Sequence, residues 1–307
     1  MVLPDRPAHP DDVPPTAAST GRPVPAPPQL IGPGTHLVRE FQHSLGAPLS
    51  VPINSMVVLG AEPLLVDTGT AHNADAWRET VFSLVDPGDV RWIFISHDDS
   101  DHTGNLAAAM ELCPRATLLC SWSLVERMAH RYDFPLRRLR WLADADRIEL
   151  PDRTLSIVRP PVYDSPTTQG LYDSRTGIYW AADAFATPLP GGAAADAVVD
   201  EIAELSARQW WEGMVLFGVH ALAPWVALAD PVRYARTVRA VRALDPTVIA
   251  SGHSPAVTGR HVPVALDMIG RLAQAPVPPC PDQSLLDDVL RAMGHEPDDP
   301  AVFARGG

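Results

Sequence analysis

Residues 92–105 read Trp92-Ile-Phe-Ile95-Ser-His97-Asp-Asp99-Ser-Asp101-His102-Thr-Gly-Asn105, and the fold turns on this stretch. Four residues able to bind a metal, His97, Asp99, Asp101 and His102, fall within six positions. The apolar run from Trp92 to Ile95 suits a short buried strand and Thr103 to Met110 a helix, so the donors fall on the loop between them. Alternate residues of such a loop turn toward two neighbouring ions, and the cluster predicts a dinuclear metal site. A charged surface loop is the competing reading. It predicts neither the two histidines nor an apolar strand running straight into them.

The cluster resembles the metal signature of the metallo-β-lactamase superfamily, H-x-H-x-D-H, with Asp99 in place of the second histidine. The flavodiiron branch carries Glu at that place, so the resemblance is to the metal domain of that branch, and it implies an α/β fold, the αβ/βα four-layer sandwich. Oxygen donors are harder than imidazole and suit iron or manganese better than zinc. Two later stretches look like the same branch: Tyr179-Trp-Ala-Ala-Asp183-Ala-Phe185, resembling the strand that ends in a bridging aspartate, and Thr247-Val-Ile-Ala-Ser-Gly-His253-Ser-Pro255, resembling the strand that ends in the last histidine. Ser254 stands where the family usually has glycine. Leu64-Leu-Val-Asp67-Thr-Gly69 resembles the first motif, whose aspartate orients the metal loop by hydrogen bonding without touching metal.

Flavodiiron proteins supply a further histidine from a loop reading approximately Pro-x-x-His-x-Pro. Here Pro161-Val-Tyr-Asp164-Ser-Pro166 puts an aspartate there. Two readings of Asp164 stay open, a metal ligand or the start of an Asx-turn before Pro166. A carboxylate at this place has a parallel in a metallo-β-lactamase-fold diiron hydroxylase. The resemblance then implies His97, Asp99 and Asp164 on one metal, Asp101, His102 and His253 on the other, and Asp183 bridging. Four carboxylates offset the charge of two divalent cations and favour oxidation of a ferrous pair; a histidine-rich zinc site stays positive and holds a hydroxide nucleophile.

The alternation of apolar segments predicts strands at 37–41, 55–59, 63–67, 92–96, 116–120 and 154–158, and helices at 73–85, 103–112, 121–131, 231–244 and 282–293. Residues 197–228 read as one long apolar helical stretch whose Trp210, Trp211, Phe217 and Trp225 are mostly core. His220 on it has two readings, a satisfied core residue or a group overhanging the site; Tyr163 is a donor candidate beside Asp164. Proline crowds residues 1–29, which read as a disordered tail, with the domain over 30–275 and a C-terminal helix and tail over 276–307.

The 307 residues are 46% hydrophobic and 20% charged, with a formal charge of −13. That charge repels phosphate backbones and anionic headgroups and argues against nucleic-acid or membrane binding. No run reaches the roughly 20 apolar residues of a membrane span, and the N-terminus lacks a signal-peptide pattern, so the expected location is cytoplasmic. Cys113, Cys120 and Cys280 form no C-x-x-C pair and read as reduced thiols. Arg127 to Trp141 is locally basic. It reads as a solvated helix and turn, or as a docking face for an acidic flavoprotein or an anionic substrate.

Only about fifty residues follow His253, fewer than the roughly 150 of the flavodoxin domain that flavodiiron proteins carry. The expected electron donor is therefore a separate flavoprotein, with O2 or another small molecule as substrate and a homo-oligomer as an open option. The leading reading is a diiron oxidoreductase that binds or reduces O2. The alternatives are a zinc-type hydrolase of a lactone, thioester or phosphoester, and a diiron hydroxylase or oxygen sensor.

Overall fold

The computed structural model describes residues 22–44, 49–191, 201–276, 279 and 282–292. One sheet runs β1 (Val24–Gly32), β2 (Thr35–His43), β3 (Leu49–Val58), β4 (Leu64–Val66), β5 (Trp92–Phe94), β6 (Thr117–Cys120), β7 (Leu139–Trp141). The other contains β8 (Arg147–Glu149), β9 (Thr154–Ile157), β10 (Leu171–Asp173), β11 (Ile178–Trp180), β13 (Val248–Ala250) and β14 (Val257–Thr258), in the order β14-β13-β11-β10-β9-β8; β12 (Leu189–Pro190) pairs with β3 in the first sheet.

The period-2 alternation of strands sorts the apolar residues into layers. Leu64, Val66, Phe94 and Leu119 of the first sheet face Ile157, Leu171, Ile178, Trp180 and Val248 of the second. Their neighbours Leu65, Ile93 and Leu118 face the opposite way, onto α1 (Ala74–Leu84), α3 (Leu106–Leu112) and α4 (Trp122–Met128). Tyr179 and Ile249 pack against α5 (Ala207–Val215), α6 (Pro231–Arg242) and α7 (His261–Ile269). Helices on the outer faces of two stacked sheets make the αβ/βα sandwich.

Three local expectations need correction. The domain does not wait until residue 30: β1 begins at Val24, within the stretch read as disordered, and residues 1–21 lie outside the described residues. Pro25, Pro27 and Pro28 are accommodated because β1 is an edge strand, and its register slips between Ala26 and Gln29, where the two adjacent prolines fall. The helix expected at 103–112 is two pieces, α2 (Ser100–Thr103) and α3, because Asn105 turns its side-chain amide onto the carbonyls of Thr68 and Thr70 at 2.6 and 3.0 Å. The stretch 197–228 is likewise broken. Its described part runs through a 3-10 turn (Ile202–Glu204), α5, a π-helical segment (Leu216–Leu222) and a second 3-10 turn (Pro224–Leu228). Residues 192–200 and Cys280 lie outside the described residues. The C-terminal helix α8 spans Gln283–Ala292.

The pairing of β4 with β5 and of β11 with β13 is parallel, and β9 lies two antiparallel steps from β11. Strands β4, β5, β9, β11 and β13 are followed in the chain by Asp67, the His97 loop, Asp164, Asp183 and His253 respectively. Each of the two sheets thus presents its chemistry-bearing loops at the carboxyl ends of parallel strands.

Candidate metal centre

Among the described residues three donor groups stand out: His97, His102 and Asp183; Asp101, His102 and His253; and His97, Asp99 and Asp164. In each the donor atoms lie within 4.8 Å of one another. Asp183 joins the groups through different oxygens. Its Oδ2 is 3.3 Å from His97 Nε2, while its Oδ1 is 3.0 Å from His102 Nε2 and 3.5 Å from His253 Nε2. Asp99 Oδ2 lies 3.8 Å from His97 Nε2; Asp101 Oδ2 lies 3.7 Å from His102 Nε2 and 3.4 Å from His253 Nε2. All seven residues singled out in the sequence come together. The polar core of the cluster is shut from solvent, and Asp99, Asp164 and partly Asp101 form its open edge.

The proton bookkeeping of the imidazoles shows what the cluster is built for. His253 Nδ1 is 2.9 Å from the Pro52 carbonyl, which can only accept, so that nitrogen carries the proton. His102 Nδ1 is 2.9 Å from Asp67 Oδ2. Ser96 Oγ donates to Asp67 Oδ2 at 2.7 Å, so the 3.0 Å contact between Ser96 Oγ and His97 Nδ1 is a donation from the ring. With each Nδ1 a donor, each Nε2 of a neutral ring keeps a lone pair aimed inward. In that neutral state His97 Nε2, His102 Nε2 and Asp183 Oδ1 are buried acceptors that find no hydrogen-bond donor among the described residues. Buried acceptors left facing one another are costly unless a cation lies between them, and this donor set fits two.

Electrostatics agrees. Burial opposes charge on His102 and His253, yet Asp183 and Asp101 outweigh it, raising His102 well above the usual range and His253 to about 9. Burial also opposes ionisation of Asp183, and the three imidazoles hold it well below the usual carboxylate range. Desolvation and the Asp183 carboxylate push Asp164 up to about 6. The cluster attracts positive charge, which protons supply when metal does not.

Asp67 behaves as the sequence suggested. It is buried at a φ of 56° and accepts from the Ser96 amide at 2.7 Å and from Trp180 Nε1 at 3.2 Å, besides its contacts to Ser96 Oγ and His102. Aspartate tolerates this left-handed backbone better than most residues. Sequence reasoning missed other supports. Phe217, on the π-helical segment, packs its ring 5.3 Å from that of His253. Trp225 donates to the Tyr163 carbonyl at 3.0 Å and lies tilted against the Tyr163 ring, centroids 5.1 Å apart, so the neighbour of Asp164 is held by its backbone and ring. His220 belongs to none of the three donor groups. The basic segment is not simply solvated: Arg127 pairs with buried Asp98 at 2.6 Å, and Arg138 donates to the carbonyls of Ala116, Met110 and Cys113. A salt bridge 29 residues apart in sequence leaves no local pattern to find it by.

Residues 52–254, more than half of the chain, match the family model described as ODP family beta lactamase. The chain belongs to this family. A protein of Nostoc sp. named as a diflavin flavoprotein is 28% identical over 163 residues, 50% of this chain and 28% of its own length. A nitric oxide reductase of Moorella thermoacetica is 24% identical over 132 residues, 43% of this chain and 33% of that protein. The matched part thus spans a third or less of these relatives. The rubredoxin oxygen:oxidoreductase of Desulfovibrio gigas superposes with a TM-score of 0.65 at 18% identity, covering 80% of this chain and 61% of that one, and shows the fold. This family member therefore has the metallo-β-lactamase-like sandwich and the clustered His/Asp donors of a dinuclear centre of the flavodiiron kind. No helix among the described residues is long and apolar enough to cross a membrane.

Proposed function

We propose that the chain holds two iron ions and reduces O2 or a related small oxidant with electrons from a flavoprotein partner. His97, Asp99 and Asp164 would hold one ion and Asp101, His102 and His253 the other, with Asp183 between the two groups. The observation that carries this reading is the split of Asp183, with one carboxylate oxygen facing His97 and the other facing His102 and His253, inside a donor set of four carboxylates and three imidazoles. Hard, anionic donors favour iron over zinc. The relatives named as a nitric oxide reductase and an oxygen oxidoreductase support redox chemistry on small diatomics.

The chemistry that a ferrous pair supplies is electron transfer to the oxidant. The chain's own residues set the conditions for it. The carboxylates balance the cationic charge, so that a further rise in charge on oxidation is tolerated. Asp67 and Ser96 fix the ring planes of His102 and His97, and the Pro52 carbonyl fixes His253. Phe217 covers one side of His253 and limits water there, while the exposed edge at Asp99 and Asp164 leaves a way in for a small molecule.

Metal analysis of protein purified without added metal, followed by anaerobic reduction and exposure to O2, tests the reading. Iron-loaded protein should show a ferric optical band in air, bleach on reduction and consume O2 when a reductant is supplied. Zinc-loaded protein should hydrolyse lactones and thioesters poorly, because anionic donors weaken zinc as a Lewis acid. Efficient ester turnover by the zinc form with an inert iron form overturns it.

A further inference from the structure

Asp98 sits between His97 and Asp99 in sequence and belongs to none of the donor groups. It is nevertheless 5% exposed. Its Oδ1 accepts from Ser165 Oγ at 2.6 Å and Thr167 Oγ1 at 2.8 Å, its Oδ2 accepts from Arg127 Nε at 2.6 Å, and its amide donates to Thr167 Oγ1 at 3.2 Å. Ser165 is the residue next to Asp164. The same loop is tied again where the Gln169 amide donates to the Ser96 carbonyl at 2.9 Å and Ser121 Oγ to the Thr167 carbonyl at 3.2 Å. Asp98 is thus a buried anion whose hydrogen bonds join the loop of His97 and Asp99 to the loop of Asp164, and whose charge is met by a guanidinium from α4.

The two metal positions do not share this support. His102 is held by Asp67 and His253 by the Pro52 carbonyl, and the hydrogen bonds of Asp98 go to Arg127, Ser165 and Thr167 instead. Asp99 and Asp164, by contrast, are the exposed donors, Asp99 at the N-cap of the four-residue α2 and Asp164 on a loop. A carboxylate in solvent turns freely about χ1 and χ2 and is placed only as well as its backbone is, and the tolerance for a metal is about 0.2 Å. Arg127 matters for a second reason. Without it the buried Asp98 carboxylate would stand uncompensated beside Asp99 and Asp164, and like charges would push the loops apart.

We propose that Asp98, braced by Arg127, Ser165 and Thr167, is the positioning residue for the metal position of His97, Asp99 and Asp164, and that this position loses its ion first when the brace is broken. The proposal rests on the ligand assignment above, and its test reads metal binding alone, without turnover. Mn2+ is titrated into metal-free wild type, Asp98→Ala, Asp98→Asn, Arg127→Gln and the double variant Ser165→Ala/Thr167→Val, with stoichiometry and the affinity of each position read by calorimetry. Wild type should take up two ions. Asp98→Ala should weaken one position about 10–100-fold and leave the other unchanged, the range usual for groups that orient metal ligands. Asp98→Asn, able still to accept from a hydroxyl, should fall between, and Arg127→Gln should move in the same direction. If Asp98→Ala melts before it can be titrated, Arg127→Gln and the double variant carry the same test, since the Arg127 side chain is 52% exposed and not part of the core. Equal weakening of both positions, or of neither, overturns the brace while leaving the ligand set intact; fewer than two ions in wild type overturns the ligand set itself.

Discussion

Gly252 precedes the candidate ligand His253, and replacing it with alanine tests whether the centre is as tightly built as its distances imply. A β-carbon at this position would lie 2.7 Å from His102 Cε1 and 2.9 Å from Asp183 Oδ1. Ordinary carbon–carbon contact is about 3.5–4.0 Å, so the His102 ring edge must retreat by about 0.8 Å. Neither side can yield cheaply. The Gly252 amide donates to the Ala182 carbonyl at 2.7 Å and its own carbonyl accepts from the Asn54 amide at 2.8 Å, while His102 is pinned through Nδ1 to Asp67. A shift of that size is several times the roughly 0.2 Å a metal site tolerates, and it strikes the bridging carboxylate as well as His102. Overpacking of this kind costs about 1–3 kcal/mol of stability. Metal content after dialysis, with a thermal melt on the same sample, reads both effects: Gly252→Ala should fold, melt lower and retain fewer than two ions. Full retention of two ions at wild-type affinity would refute the geometry argued here, because it would mean that His102 and Asp183 have room to spare.

Asp183→Ala should lower occupancy at both positions, as a shared carboxylate requires; a variant that keeps near two equivalents removes the bridge. Burial pushes the thiols of Cys113 and Cys120 up to about 11 and about 12, so native protein should leave both unalkylated at pH 8, as peptide mapping would show. Because these folded values exceed the unfolded one, the thiols cost no stability below about pH 8.5. Stability should fall as pH rises above it, where the unfolded chain ionises first.

A residue's role is legible in the sequence where that role is local. Ile93 and Ile95 alternate with Phe94 because successive strand residues face opposite layers, and the ligands follow directly on the strand, so one loop carried both the fold class and four donors. The role is hidden where it depends on residues far along the chain. Pro25, Pro27 and Pro28 look incompatible with a strand until β1 is seen to be an edge, and edge position is a property of the finished sheet. Asn105 sits inside a helical pattern, and bonds to Thr68 and Thr70, more than 30 residues earlier, break that pattern together with the Gly104 amide on the Gly69 carbonyl. Asp98 was in plain view inside the metal motif, yet its partners Arg127, Ser165 and Thr167 come from two distant segments, and nothing in its spacing separates a brace from a solvated charge.

The two departures from the family pattern, Asp99 and Asp164, fall in the same donor group, and this makes the two metal positions chemically unequal. His97 supplies one imidazole there against two carboxylates, before the Asp183 oxygen is counted; the other position has two imidazoles, His102 and His253, against Asp101 alone. Softer ions are drawn to the second position and harder ones to the first. The first position is also the exposed one, while His102 and His253 lie at the buried end with Phe217 over His253. On the proposed function, an oxidant arriving from solvent would meet the harder, more anionic position first, where negative donors would best stabilise a rise in metal charge. The substitutions that depart furthest from a histidine-rich zinc site thus lie on the solvent-facing side of the centre, and on the side that the proposed Asp98 brace would hold in place.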